Sequence, residues 1–170
     1  MIKMKNLALT FVMLAFAAGG FAQISATTTA NATATIITPL AIAKVTDMNF
    51  GTFTNGNGSG SFILNPLPVA TRTGVVGVVL FGGTVSAASF TVTGEGASAF
   101  SITLPAANLS LASGANDPLT ISAWTSTPSL TGTLTAGTAN ILVGATLTTG
   151  AASGAGVYAG PSFNVTVNYN

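Results

Sequence analysis

Apolar and polar side chains alternate with a period of two along most of this chain. Ala26, Thr28, Ala30, Ala32, Ala34 and Ile36 fall on one face of an early segment, and Thr27, Thr29, Asn31, Thr33 and Thr35 on the other, until Pro39 ends it. Ala88, Phe90 and Val92 alternate with Ser89, Thr91 and Thr93, and Phe100, Ile102 and Leu104 with Ser101 and Thr103. Ile141, Val143, Ala145 and Leu147 repeat the pattern before Gly150. Phe163, Val165, Val167 and Tyr169 repeat it again against Ser162, Asn164, Thr166 and Asn168. Residues two apart on a strand share a face, so each segment predicts a strand with one apolar side. No stretch carries the stripe of an amphipathic helix.

Between these segments lie shorter signals. Asp47-Met-Asn-Phe-Gly51 predicts a short strand running into a turn, and Ser61–Leu64 a short strand closed by Asn65-Pro66. Asn55-Gly-Asn-Gly-Ser-Gly60 has the composition of a flexible loop. Val75–Phe81 is continuously apolar and bounded by glycines, which predicts a strand buried on both faces or a strand at a sheet centre. The 88–93 and 100–104 segments flank Gly94-Glu95-Gly96 and predict a hairpin. Leu119, Ile121 and Ala123 predict a strand whose opposite face carries Trp124, as a semi-core residue or as an exposed binding aromatic. Several short strands separated by Gly/Pro turns indicate an all-β sandwich or barrel. Outer-membrane barrels use strands of about 10 residues with aromatic girdles. Here the strands are shorter and aromatics are sparse, which favours the sandwich.

The first residues break the pattern. A short basic start with Lys3 and Lys5 precedes the apolar run Leu7–Phe16, and Gly20-Phe21-Ala22 supplies small residues before Gln23. That order predicts a signal peptide over 1–22, cleaved after Ala22. The apolar run falls short of the about 20 residues that span a bilayer. Removing 22 of the 170 residues leaves 148, one domain over 23–170. The expected product is exported to the periplasm, cell surface or extracellular space, with no transmembrane segment.

Composition then narrows the chemistry. Past the signal, Lys44 and Arg72 face Asp47, Glu95 and Asp117, a net charge of −1. Two isolated cations cannot replace the counterions of a nucleic acid, so no nucleic-acid partner is expected. A hydrophobic fraction of 48% and a mean hydropathy of +0.67 argue against disorder. There is no His and no Cys, which removes disulfides, the usual general base and the preferred zinc and copper ligands. The three carboxylates are far apart in sequence and each sits beside a turn signal. The Asn55–Gly60 loop lacks the acidic oxygens of a calcium cage. No phosphate-binding glycine fingerprint is present. The expected catalytic residues, metal and cofactor are therefore none.

The two ends carry the remaining signal. The early Ala/Thr segment and the last strand are both strictly alternating. They predict either the first and last strands of a closed sandwich, or assembly in which an extended segment completes a neighbour's sheet edge. An Ala-rich face buries little area, so such a segment would gain chiefly from backbone pairing.

Three stretches carry a family likeness. They are Ile37–Ile42 with Asp47-Met-Asn-Phe-Gly-Thr-Phe53; Phe90–Gly94 with Phe100–Pro105; and Val143–Leu147 with Tyr158-Ala-Gly160 and Phe163–Asn170. Together they are similar to the secreted bacterial family known as domain of unknown function 4402, over nearly all of the chain past the signal. The motif positions are Asp47, Asn49, Phe50 and Gly51, and the last Val-Thr-Val-x-Tyr. The resemblance implies an exported Gram-negative protein with an immunoglobulin-like antiparallel β-sandwich, resembling pilin-type subunits whose last strand ends in an aromatic. It assigns no catalytic residues. Pilins of that type often carry disulfides, and this chain has no cysteine.

The combined expectation is a non-enzymatic, exported cell-surface protein with a structural or adhesive role. It would be a fimbrial-type subunit that self-associates, or meets pilus-type partners, through strand edges. Phe163, Val165, Val167 and Tyr169 form the core-facing assembly strand. The alternative is a secreted carbohydrate- or surface-binding module, for which Trp124 or Tyr158 would supply the aromatic platform.

Overall fold

A computed structural model describes residues 25–56 and 58–170, and the expected signal peptide lies outside them. Among the described residues the secondary structure is all β, with no helix. Among the described residues no helix is long and apolar enough to cross a membrane. Residues 36–170 form one compact unit. Residues 25–35, described by themselves, carry no strand and are exposed, so the early Ala/Thr pattern is not realised as a paired strand.

The strands are β1 (Ala41–Thr46), β2 (Asn49–Phe50), β3 (Phe53–Asn55), β4 (Ser61–Leu64), β5 (Arg72–Val76), β6 (Val78–Leu80) and β7 (Val85–Ser86). They continue as β8 (Ala88–Thr93), β9 (Ala99–Thr103), β10 (Leu109–Leu111), β11 (Leu119–Thr127), β12 (Thr131–Thr133), β13 (Thr138–Thr148) and β14 (Thr166–Tyr169). One layer is a seven-stranded antiparallel sheet built on the path β1-β8-β13-β11-β10, with β4 on β13 and β5 on β4. The long β13 takes two partners along one edge: β8 through Val143 and β4 from Ala145 onward. The facing layer is assembled from the sheet β12-β9-β14 and the two-stranded ribbons β2–β7 and β3–β6.

The layers close over two apolar clusters. Phe100 and Ile102 of β9 meet Val92 of β8 and Ile141 and Val143 of β13 in one of them. In the other, Phe50 and Val78 meet Phe62, Leu64, Leu119, Ile121 and Leu147. Met48 and Trp124 touch both clusters. The rings of Phe50 and Phe53 stand edge-on to Phe62, with centroids 6.0 and 5.1 Å away, a geometry aromatic quadrupoles prefer. The alternation along β13 is visible directly, since Ile141, Val143, Ala145 and Leu147 are all buried.

Three expectations need correction. The 88–93 and 99–103 segments do not form a hairpin. β8 pairs with β1 and β13, whereas β9 pairs with β12 and β14. The chain arches over at 94–98, so the two apolar faces meet across the core instead of lying side by side. The 75–81 run is not a doubly buried strand either. It is interrupted at Gly77 as the chain passes from the seven-stranded sheet to the β3–β6 ribbon. β5 is a sheet edge, and Val75, Val76, Val79 and Phe81 are exposed while Val78 is buried. Third, β11 is irregular. Ala123 has φ of 47°, and the register with β13 shifts between Ser122 and Thr125. The bulge inverts the facing, so Ala123 is exposed and Trp124 turns inward.

Candidate functional site: a cleft between two unpaired edges

The 47–51 turn is built from its own side chains. Gly51 N–H donates to Asn49 Oδ1 at 2.8 Å, a side-chain mimic of a backbone turn. Gly51 has φ of 72°, and a Cβ there would lie 2.7 Å from Val85 Cγ2, so both the backbone and the space require glycine. The Ser86 hydroxyl donates to the Asp47 carbonyl at 2.8 Å. Lys44 and Asp47 pair at 2.7 Å, with both side chains largely exposed, so this ion pair adds little. Phe50 is buried beneath the turn.

Arg72 completes this corner. Its guanidinium donates to the carbonyls of Phe50 (3.1 Å), Thr52 (2.9 Å) and Phe81, and lies 5.9 Å from the Phe62 ring centroid. The planar fork ties β2, β3 and the end of β6 to one point on β5. Nothing in sequence periodicity marks Arg72. The available hint is an arginine in a chain of very few charges, flanked by threonines in a strand.

The last segment faces the core with alternate residues, although only Thr166–Tyr169 of it is strand and the expected strand does not extend back to Phe163. Phe163, Val165, Val167 and Tyr169 are half-buried, and Asn164, Thr166, Asn168 and Asn170 are exposed. All four apolar residues pack against the β8/β9/β13 cluster. Phe163 sits between Trp124 (centroids 4.7 Å apart) and Phe90 (6.5 Å). Trp124 Nε1–H donates to the Ala107 carbonyl at 3.2 Å. The indole is thus engaged with neighbouring groups and does not form a platform on a strand face. Tyr169 ends the strand with its hydroxyl donating to the Thr38 carbonyl (2.8 Å) and accepting from Glu95 N–H (2.7 Å). Glu95 Oε2 accepts from Thr38 N–H at 2.9 Å. The backbone and side-chain hydrogen bonds from Thr38 hold the Glu95 carboxyl below its usual range.

Between the 47–55 segment and the 154–163 segment runs a cleft of about 900 Å³. Its lining includes Leu109 and Leu111 of β10, Leu119 and Ile121 of β11 and Leu147 of β13. Tyr158 lies on one wall and donates its hydroxyl to the Gly154 carbonyl at 2.9 Å. A polar network lies at its margin. Thr149, 2% exposed, donates to Asn55 Oδ1 (2.9 Å) and accepts from Gly60 N–H (2.7 Å). Asn55 Nδ2 donates to the Gly150 carbonyl at 3.0 Å. Asn55, which composition places in a flexible loop, is thereby fixed.

The carboxylates act locally. Asp47 pairs with Lys44, Glu95 accepts from Thr38, and Asp117 accepts from Ala152 N–H at 3.1 Å. Among the described residues no three His, Cys, Asp or Glu side chains gather where they could hold a metal ion. No buried side-chain polar atom there lacks a hydrogen-bond partner. What the site offers is backbone. β2 and β3 each pair along one edge, with β7 and β6. The stretch 160–165 is in no ladder and makes no backbone–backbone hydrogen bond among the described residues.

The family described as Domain of unknown function (DUF4402) matches residues 40–169, and the chain belongs to that family. No curated protein and no solved structure matches the chain. The matched region begins just before β1 and ends at Tyr169, the hydroxyl-bearing end of β14. The exposed 25–35 segment lies outside it.

Proposed function

We propose that this family member is an exported cell-surface protein with a structural or adhesive role, a fimbrial-type subunit that adds a strand of one copy to a sheet edge of the next. The observation that carries the reading is the 25–35 segment, which has strand alternation, no paired strand and full exposure. An alternating segment with unpaired N–H and C=O groups is a donor seeking an edge. Edges are available, since β1 pairs only with β8 and β5 only with β4. Lys44 on β1 is the kind of charge that blunts an edge, whereas Val75 and Val76 leave β5 apolar and exposed.

In this reading the protein is not an enzyme and takes no cofactor. Its few charged side chains are each committed to a turn or a strand junction. Its site of action is the periplasm, the cell surface or the extracellular space, reached by the 1–22 signal. Sedimentation velocity on the 23–170 protein across a wide concentration range tests the proposal. Species that grow with concentration support it, and a monomer throughout refutes it.

One observation favours a second reading, a secreted carbohydrate- or surface-binding module. Tyr158 lines a cleft of ligand-binding volume. Binding on a glycan array, abolished by Tyr158→Ala, would select this reading over the first.

A further inference from the structure

The outer face of the seven-stranded sheet carries its side chains in rows. Residues directly opposite one another on antiparallel strands share a face. Ser110, Thr120, Thr148, Ser61 and Val76 therefore form one row across β10, β11, β13, β4 and β5. Two positions along the strands, Ser122, Thr146, Ile63 and Thr73 form a second row across four of them. The alternate residues Ile121, Leu147, Phe62 and Leu64 are buried in the core, so both rows point away from it. No charge interrupts them. Arg72 stands opposite Leu64 on the core side of β5, Lys44 lies on β1, and Asp47, Glu95 and Asp117 lie between strands. Among the described residues only one of these hydroxyls, that of Thr73, accepts a hydrogen bond from another side chain, Asn65. The others keep a donor and two lone pairs for a partner. Ile63 and Val76, 38% and 64% exposed, add apolar surface at the β5 end.

We infer that this face binds a neutral, extended, β-linked polysaccharide of the cellulose type, laid across the strands with one sugar ring per strand. The inference rests on the adhesive role proposed above and names the surface that is held. Neighbouring strands lie about 4.8 Å apart, so the first row spans about 19 Å and the two rows lie about 7 Å apart. An equatorial linkage keeps a glycan extended and advances it by nearly one strand spacing per ring. Hydroxyls that both donate and accept suit sugar hydroxyls, which do the same, and Ile63 and Val76 suit the C–H face of a ring. A face without charge has no ion to desolvate on binding. An acidic polymer or an anionic lipid surface calls for Lys or Arg, and neither row has one. The rows also turn with the sheet, by about 20–25° per strand. A single chain can follow that turn, whereas a rigid crystal plane meets it at few points.

Amide chemical shifts of dilute 23–170 protein, followed during titration with hexamers of β-linked glucose, mannose and N-acetylglucosamine, test the inference. At least one hexamer should move resonances centred on Thr120 and Thr148, and the α-linked glucose hexamer, which coils, should not. The double variant Thr120→Val, Thr148→Val removes two hydroxyls at constant shape. It should weaken binding about tenfold or more at an unchanged urea midpoint, two hydrogen bonds being lost. Thr166→Val, on the exposed side of β14, should leave the affinity unchanged. Binding that survives in the double valine variant and is lost in Tyr158→Ala overturns this inference and assigns the sugar to the cleft. Shifts with none of the three β-linked hexamers, or equal binding of the α-linked one, overturn it as well. Sedimentation of the same protein tests the assembly reading separately, so the two can fail independently.

Discussion

The Tyr169 hydroxyl donates to the Thr38 carbonyl across 131 positions of sequence, at 2.8 Å. The same oxygen accepts from Glu95 N–H, and the Glu95 carboxylate accepts from Thr38 N–H. One phenol and one carboxylate therefore bind both backbone groups of a single residue just ahead of β1. Gly94 is part of the same junction, because a Cβ there would collide with the Tyr169 hydroxyl.

Tyr169→Phe removes the hydroxyl and keeps the ring. Two hydrogen bonds are lost, each worth about 0.5–1.5 kcal/mol net. Urea unfolding should show a lower midpoint at an unchanged slope, corresponding to a loss of about 1–3 kcal/mol. Asn168→Ala, on the exposed side of the strand, should stay within about 0.5 kcal/mol of the parent.

The Glu95 carboxyl has a lowered pKa in the folded protein, owing to the bonds from Thr38. Its stabilisation is fully present above the ordinary value of 4.5 and is lost as pH falls through the lowered native value. Melting temperatures of the parent and Glu95→Gln, followed from neutral to acid pH, should differ at neutral pH and converge below 4.5. A gap that stays constant through that window contradicts the assignment.

Phe163 is half-buried and packs at a tilt against Trp124. Phe163→Ala should cost about 2–4 kcal/mol, somewhat less than a fully buried phenylalanine. The chain has one tryptophan, so emission reports this site alone and should shift to the red in the folded variant. Thr166→Ala should change neither stability nor emission.

Arg72 holds three carbonyls with a planar fork, a geometry an ammonium cannot reproduce. Arg72→Lys should therefore recover little of the stability lost in Arg72→Ala, which is about 1–2 kcal/mol for charge-assisted bonds at a half-exposed site. Chemical denaturation of the two variants checks this. Full recovery in the lysine variant would mean that charge, and not the fork, carries the junction.

The alternation that marks β8, β9, β13 and the last segment was legible in the sequence because a strand with one buried face must place apolar side chains at every second position. Pairing was not legible. Phe100 and Ile102 show which side of β9 is apolar, but that side serves equally in a hairpin or in a facing layer. The inward turn of Trp124 was hidden because it depends on a bulge at Ala123, a residue with no intrinsic preference for φ of 47°. The exposure of Val75 and Val79 was hidden because a valine run looks the same at a sheet centre and at an edge. Of the cleft, the motif residues Asn49, Phe50 and Gly51 could be named in advance. The role of Arg72 and the unpaired 160–165 backbone arise only from the packing of segments distant in sequence.

The central claim is that residues 25–36 act as a pairing strand between copies. Amide hydrogen exchange on assembled and dilute 23–170 protein, resolved by peptide mass, tests it most directly. In dilute solution the 25–36 amides should exchange at the rate of free chain. In the assembly they should be protected, together with amides of the sheet edge that receives them. Assemblies in which 25–36 exchanges as fast as in dilute protein would contradict the account.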